Sequence, residues 1–408
     1  MTTFASFGLP SPLNESLARL RFTVPTPIQA KAIPPGLEGE DILASAQTGT
    51  GKTIAYLLPL LTHLLNSSRT SALILAPTRE LAAQIQDNAR ALLGKKVETV
   101  LLIGGESMGK QLSALRRHPR LIIGTPGRIN DHLTRKTLIL NETRFLVLDE
   151  IDRMLDMGFS QAIKKIVSYL PPERQTFMFS ATLPHSIQQL SYTYLKNPRR
   201  IAIGDSTQHV AKIKQETIQT NSTDKFECLV SELNKRDGSV IVFVKTKHGA
   251  DRLAEKLTRQ NHEAAAMHGD LRQGKREEVI RNFRTLKKRI MIATDIAARG
   301  LDIPHIRHVI NYDPPQCPED YIHRIGRTGR AGLEGCALSF ISPEDYHKWK
   351  NIPNLNLPGK SGPSSHHVDK PRKKTKQRNH QNSAPPKWKS SKGKFSQRSG
   401  SFKRKKAA

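Results

Sequence analysis

The chain has 408 residues, enough for two or three domains, and its 37% hydrophobic and 25% charged residues are the proportions of a globular protein rather than a wholly disordered one. Its formal charge of +29, from 65 Lys and Arg against 36 Asp and Glu, makes a polyanion the natural partner. Nucleic acid is expected over membrane, and secretion, a disulfide framework and a zinc site are not expected: no apolar run nears the roughly 18 residues of a span, the start MTTFASFGLP lacks a basic then hydrophobic segment, and Cys228, Cys317 and Cys336 form no C-x-x-C pair.

Up to about residue 345, short β-rich apolar runs alternate with longer helical patterns, which predicts an α/β fold of parallel sheets covered by helices on both faces. The run DILAS leads into Ala46-Gln47-Thr48-Gly49-Thr50-Gly51-Lys52-Thr53 and then into the helical pattern IAYLLPLLTHLL. Such a strand, loop and helix wraps backbone N–H groups around a phosphate chain, lets Lys52 reach the outer phosphates and offers the Thr53 hydroxyl to Mg²⁺. The general pattern opens on glycine, and Ala46 stands there instead. A plain glycine-rich turn before a core helix has the same local composition, so the loop alone does not decide the reading.

The strand-like runs ALILAP, VLLIGG and LIIGTP come next, and then Phe145-Leu-Val-Leu closes on Asp149-Glu150-Ile151-Asp152. Carboxylates at the carboxyl end of a parallel strand sit at the crevice where such sheets bind ligands. Asp149 is suited to hold Mg²⁺ through water, and Glu150 to orient and deprotonate an attacking water. An acidic helix start favoured by the macrodipole alone would look similar, and the upstream phosphate loop weighs against it. TFMFSAT supplies another strand, ending in Ser180-Ala-Thr182.

Between Asn197 and Gln215, Pro198, Gly204 and polar residues interrupt the rhythm, which predicts a linker, drawn at 206–216. VIVFVKT, RIMIATD and HVINYD then restart it. From Asn351 the periodicity stops, and the tail 351–408 is expected to be disordered because it has too little apolar surface to offset the entropy of ordering. Its basic runs PRKKTKQR, KWKSSKGK and FKRKK, interleaved with Trp388, Phe395 and Phe402, suit a tether for RNA.

With these motifs in order, the chain resembles the DEAD-box family of ATP-dependent RNA helicases over residues 4 to 340. Phe4 and the stretch Arg21-Phe22-Thr-Val-Pro-Thr-Pro-Ile-Gln29 look like the family's adenine-recognition element, with Phe22 stacking on the base and Gln29 pairing with its edge; Arg21 stands where the family usually has Gly. Pro77-Thr78-Arg79, Gly104-Gly105 and Thr125-Pro126-Gly127-Arg128 are similar to its RNA-gripping elements, whose hydroxyls, free amides and guanidinium groups suit phosphate oxygens. Ser180 and Thr182 resemble the element that links ATP state to RNA binding, with Asp152 and His323 implied as partners.

Farther on, Ala293-Thr294-Asp-Ile-Ala-Ala-Arg-Gly300-Leu-Asp302 resembles the element that faces both ligands, with Gly300 and Asp302 toward the nucleotide and Thr294 toward RNA. His323-Arg-Ile-Gly-Arg327-Thr-Gly-Arg330 resembles the arginine-finger element, in which residues three apart share a face on a helical turn. Thr246, Gln273 and Arg276 match the second domain's RNA-side positions. Ile151 replaces the alanine of the family's name-giving tetrad and is expected in the packing behind the site.

The resemblance implies two RecA-like domains, 1–205 with the adenine element at 4–29, and 217–345, closing over ATP–Mg²⁺ and single-stranded RNA so that one strand of a duplex is stripped out locally. Lys52, Asp149, Glu150, Arg327 and Arg330 are the implied catalytic set. The implied setting is a monomeric core of bacterial type in the cytoplasm, acting on single-stranded and duplex RNA in ribosomal-precursor or messenger complexes. Two alternatives use the same core. A DNA-directed translocase is disfavoured by Gln29, Phe22 and the sequence Ser180-Ala-Thr182, and an RNA-binding chaperone that has lost its ATPase is disfavoured by the intact catalytic set.

Overall fold

The computed structural model describes residues 3–46, 49–94, 96–181, 183, 185–203, 213–298, 303, 305–329, 334–350 and 352. A 3₁₀ turn (Phe4–Phe7), α1 (Ser11–Arg19) and α2 (Pro27–Leu37) lead into an alternating series: β1 (Ile42–Ser45), α3 (Lys52–Asn66), β2 (Ser71–Leu75), α4 (Arg79–Leu93), β3 (Thr99–Leu102), α5 (Met108–Leu115), β4 (Leu121–Gly124), α6 (Pro126–Thr134), β5 (Thr143–Leu148), α7 (Ile151–Asp156), α8 (Ser160–Val167), β6 (Gln175–Ser180), α9 (His185–Tyr194) and β7 (Arg199–Ala202). A second series runs β8 (Ile213–Gln219), α10 (Lys225–Asn234), β9 (Ser239–Phe243), α11 (Lys247–Arg259), β10 (Ala264–Met267), α12 (Gln273–Arg284), β11 (Ile290–Ala293), α13 (Asp295–Ala298), β12 (Ile306–Asn311), α14 (Pro318–Ile325), β13 (Gly335–Ile341) and α15 (Tyr346–Lys350).

The strands form a seven-stranded sheet, β3-β4-β2-β5-β6-β1-β7, and a six-stranded sheet, β10-β11-β9-β12-β13-β8. Among the described residues every strand pair is parallel. Side chains alternate across a strand, so a sheet covered on both faces needs apolar residues at every position. That is why ALIL and FMF are unbroken runs: Ala72, Ile74, Phe177 and Phe179 pack in the core on one face of the first sheet, and Leu73, Leu75 and Met178 in the core on the other. In the second sheet Ile241 and Phe243 face one core while Val240 and Val242 face the other.

The order of the first sheet also sorts the motifs. The neighbours β5, β6 and β1 carry Asp149, the Ser180 element and the phosphate loop at their carboxyl ends. The neighbours β3, β4 and β2 carry Gly104-Gly105, Thr125 and Pro77-Thr78 at theirs. Crossovers that return every strand in the same direction put all of these turns on one edge of the sheet, those expected to take nucleotide on one half and those expected to take RNA on the other.

Both expected boundaries shift. Arg199–Ala202 pairs with β1, and Ile213–Gln219 pairs with β13, so the last four residues of the linker drawn at 206–216 lie inside an edge strand. KIKQETIQ concealed that strand because its burial is only partial and its composition polar. The tail likewise starts later than 351, since Ile352 is buried in the second domain's core beside Trp349. The rest of 351–408 lies outside the described residues.

Arg21 has φ 60°, the left-handed region. It ends α1 in a Schellman arrangement: the Phe22 N–H donates to Leu17 O at 2.9 Å, and the Arg21 N–H to Ala18 O at 3.0 Å. A non-glycine residue there costs about 1–2 kcal/mol, and glycine costs about 0.5–1 kcal/mol of extra chain entropy. Arg21→Gly should therefore raise stability by up to about 1 kcal/mol, read as a higher Tm, while leaving ATP affinity unchanged. A lower Tm would show that the arginine side chain contributes contacts that outweigh the backbone strain.

Candidate functional site

The phosphate loop joins β1 to α3. Gly49 and Gly51 have φ 87° and 95°, and a Cβ on Gly51 would lie 2.4 Å from Gln29 Nε2, so the loop needs glycine there for both backbone shape and space. Gln29 is buried at the start of α2. Its Oε1 accepts the Thr26 N–H at 2.9 Å, forming a capping box with Thr26, and its Nε2 donates to Gly51 O at 3.1 Å. The adenine element and the phosphate loop are thus tied by a direct hydrogen bond. Phe22, partly exposed, meets the buried Phe4 edge to face, with ring centroids 6.1 Å apart. Gln47 and Thr48 lie outside the described residues.

Lys52 is 6% exposed and its Nζ donates to Ala46 O at 2.7 Å. Asp149 and Glu150 follow β5 and are buried. Burial pushes the Asp149 carboxyl up to about 6, opposed by Lys52 and reinforced by the neighbouring Glu150 charge. Its Oδ2 accepts the Tyr56 hydroxyl at 2.9 Å, while Oδ1 is buried without a hydrogen-bond partner. Among the described residues no group of three or more His, Cys, Asp or Glu side chains could hold a metal alone. Mg²⁺ takes one or two carboxylates and completes its shell with water and substrate phosphates, and the unpartnered Asp149 Oδ1 is a carboxylate oxygen suited to that role.

Glu150 is held at φ 51° and ψ 52°, a strained backbone for a non-glycine residue, and its carboxylate ion-pairs with Arg153 at 3.1 Å. Ile151 is fully buried in the core behind the site. Asp152 reaches the end of β6: its Oδ2 accepts the Ala181 N–H at 2.9 Å. The Ala46 N–H donates to Ser180 O at 3.0 Å, so the same strand end is stitched to the phosphate loop. The link from Asp152 expected through the Ser180 and Thr182 hydroxyls therefore runs in part through the main chain at Ala181; Thr182 itself lies outside the described residues.

On the half expected to take RNA, Pro77, Thr78, Arg79, Gly104, Thr125, Gly127 and Arg128 border one cleft of about 380 Å³. Thr78 caps α4, accepting the Leu81 N–H at 3.3 Å, and Pro126 opens α6, so two helix N-termini face this region. The glycine pair makes room for an arginine: a Cβ on Gly105, whose φ is 80°, would collide with Arg79 Nη1. Arg128 Nη1 donates to Glu106 O at 3.4 Å, bracing the same turn. Burial, with the charges of Arg276 and Arg128 nearby, lowers the Arg79 guanidinium, opposed by the Glu80 carboxylate.

Behind these turns, the buried His132 on α6 bonds through Nε2 to Gln111 Oε1 at 3.2 Å, and Gln111 Nε2 donates to Ile103 O at 2.9 Å. Gln111 and His132 were not read from the sequence, where each is one of several polar residues in a short amphipathic helix.

The second domain contributes unevenly. Thr246 caps α11, accepting the Gly249 N–H at 3.0 Å, and Thr294 follows β11. Gln273 is buried at the start of α12, with Nε2 donating to Glu277 at 3.2 Å. Arg276, expected on the RNA side, borders the same cleft, and its Nε donates to Glu80 Oε1 at 2.5 Å and its Nη1 to His268 O at 3.0 Å. Glu80 and Arg276 side chains are each 7% exposed, so this pair joins α4 to α12 in a largely water-free setting.

Of the two arginines expected to share a helical face, Arg327 is described. Helix α14 stops at Ile325 with Gly326 as its cap, so Arg327 lies in the turn beyond, its Nε donating to His323 O at 3.2 Å. Gly300, Asp302 and Arg330 lie outside the described residues. Arg324 of the same stretch is a structural lock: it forks onto both Asp295 carboxylate oxygens at 2.6 and 2.7 Å and reaches Asn311 Oδ1 at 3.1 Å.

Known proteins divide along the same line. A family model described as DEAD/DEAH box helicase matches residues 26–190, and one described as helicase conserved C-terminal domain matches 224–332. The ATP-dependent RNA helicase CshA of Listeria monocytogenes is 44% identical over 349 residues, 85% of this chain and 67% of that protein. The DEAD-box ATP-dependent RNA helicase CshA of Geobacillus kaustophilus is 42% identical, covering 86% of this chain and 76% of that one. Among solved structures, S. cerevisiae Dbp5 bound to RNA and ADP BeF3 superposes with a TM-score of 0.78 at 32% identity, covering 87% of this chain and 93% of that chain. Mss116p bound to ssRNA and AMP-PNP gives 0.78 at 28% identity, over 86% and 76%.

Proposed function

The chain belongs to the DEAD/DEAH box helicase family and is an ATP-dependent RNA helicase, and from that premise we propose how its residues divide the work. One domain, ending near Ile203, carries the phosphate loop, the acidic strand end and one set of RNA turns. A second, from Ile213 to Ile352, carries Arg327 and the facing RNA positions. The observation that carries this reading is the single sheet edge on which β1 presents Lys52, β5 presents Asp149 and Glu150 and β6 presents Ser180, while β2, β3 and β4 present Arg79, Gly105 and Thr125.

In the proposed cycle the amides of the Ala46–Thr53 loop and the Lys52 ammonium bind the ATP phosphates, and Phe22 and Gln29 hold the base. Thr53 and Asp149 are the residues that would hold Mg²⁺, which when bound neutralises charge on the phosphate oxygens. Glu150 orients a water and takes its proton. Arg327, with Arg330, meets the developing phosphoryl charge when the domains close. Single-stranded RNA lies along the helix N-termini and arginines of the other half, with Asp152 and the Ser180 strand end transmitting between the two. The finer setting we propose is a monomeric core in the cytoplasm, working on ribosomal-precursor or messenger RNA; no described helix is long and apolar enough to cross a membrane. A short RNA strand released from a duplex only when ATP is supplied supports the reading, and release at the same rate without ATP contradicts it.

Gln29→Ala should relax the preference for ATP over GTP, since an amide matches the donor and acceptor of the adenine edge. Gln29 also completes the capping box of α2 and bonds to Gly51, so the variant should lose about 1 kcal/mol of stability as well. Competition between the two nucleotides and a thermal melt separate the effects. An unchanged preference would mean that the base is read elsewhere.

The basic tail is proposed as an RNA tether. A chain ending at Asn354, which keeps Ile352 in its core, should hold its maximal ATPase rate but need more RNA for half-stimulation. Its affinity should also depend less steeply on salt, by about 0.7 in log–log slope for each phosphate that the tail no longer neutralises. RNA affinity and slope equal to those of the full chain would refute the tether.

A further inference from the structure

Tyr56 sits on α3, just past the phosphate loop, with no exposure to solvent. A buried tyrosine ordinarily finds a partner for its hydroxyl, because stranding it in an apolar core is costly. Its ring packs on Phe179, centroids 5.4 Å apart, and its hydroxyl donates to Asp149 Oδ2 at 2.9 Å. The sequence hides it: within IAYLLPLL it reads as one more core residue.

We propose that Tyr56 is a positioning residue for the divalent cation that accompanies ATP, its hydroxyl engaging one oxygen of Asp149 so that the other is presented to the metal. The inference rests on the assignment of Asp149 to the cation made above. Two observations carry it. The carboxylate is asymmetric, with Oδ2 bonded to the phenol and Oδ1 buried without a partner. Tyr56 also stands three residues after Thr53, the other residue assigned to the cation, so the two share a face of α3.

Phenylalanine would fill the same space and keep the contact with Phe179, so packing does not account for the hydroxyl. Outer hydrogen bonds of this kind fix the rotation of a ligating carboxylate, and losing one typically costs about 10–100-fold in metal affinity. The carboxylate of a Tyr56→Phe variant would be free to rotate, and the entropy of fixing it would fall on cation binding.

The test uses the full chain and equilibrium binding of a fluorescent ADP, so that no turnover is needed. ADP affinity is measured first without divalent cation and then as Mg²⁺ is titrated, for the wild type, Tyr56→Phe and Asp149→Asn. Tyr56→Phe should bind ADP without Mg²⁺ within about twofold of wild type and need about tenfold more Mg²⁺ to reach half of the gain in affinity. Asp149→Asn should lose that gain. If Asp149→Asn responds to Mg²⁺ like the wild type, the assignment of Asp149 fails and the inference with it. If Asp149→Asn loses the response but Tyr56→Phe titrates like the wild type, the assignment stands and the role of Tyr56 is refuted. Weakened ADP binding by Tyr56→Phe without Mg²⁺ would also overturn it, by showing that the hydroxyl supports the loop and not the cation.

Discussion

Glu150→Gln should lower ATP turnover by about 10²–10⁴-fold while ATP and RNA remain bound, the usual range for loss of a positioned general base. Glutamine keeps the length of the side chain and its capacity to accept a hydrogen bond, so the geometry around the phosphates should survive. It cannot take a proton from water. The strained backbone at φ 51° and the Arg153 partner at 3.1 Å hold residue 150 in one place, which is what such a base requires. Arg153 would then be a buried cation facing a neutral amide, so a lower melting temperature should accompany the loss. Single-turnover hydrolysis beside filter binding separates chemistry from affinity. Turnover within a fewfold of the wild type would remove Glu150 from its proposed role.

Arg327→Ala should cost about 10³–10⁵ in RNA-stimulated hydrolysis, the range for an arginine that meets transferring phosphoryl charge. Arg327 is 3% exposed, in the turn after Gly326, and belongs to the domain that does not carry the phosphate loop. ATP binding in the absence of RNA should therefore be little changed. Arg327→Lys should recover only a small part of the rate, because a point charge does not reproduce a planar fork of donors. Hydrolysis measured at saturating RNA and ATP decides it. Near-complete rescue by lysine would indicate a general cationic requirement and not a finger.

The motifs that were legible in the sequence are the ones whose chemistry is local. A strand, a glycine loop and a helix lie within 42–66, and an acidic pair ends an unbroken apolar strand, so periodicity and loop chemistry were enough to locate Lys52, Asp149 and Glu150. The hidden features depend on residues distant in the chain or on the main chain. Glu80 and Arg276 are 196 positions apart, and no pattern around either announces the pair. Gln111, His132 and Tyr56 sit in helices whose patterning is satisfied without a function for them. Asp152 bonds to an amide at Ala181, which no side-chain motif can signal. Nor did the spacing around Arg327 announce that Gly326 ends the helix before it. Arg21 was visible as a departure from the family, but its meaning needed the backbone: it occupies a left-handed position that glycine would adopt without strain.

The central claim is that ATP and RNA share one site closed by two domains, and the most direct test is the affinity of a non-hydrolysable ATP analogue with and without single-stranded RNA. Sites coupled through closure must influence each other equally, so RNA should tighten the analogue by about fivefold or more, and the analogue should tighten RNA by the same factor. Glu80→Gln or Arg276→Gln should reduce both factors together, because the buried pair joins the two domains beside the RNA cleft. Equal analogue affinity with and without RNA in the wild type would contradict the shared site.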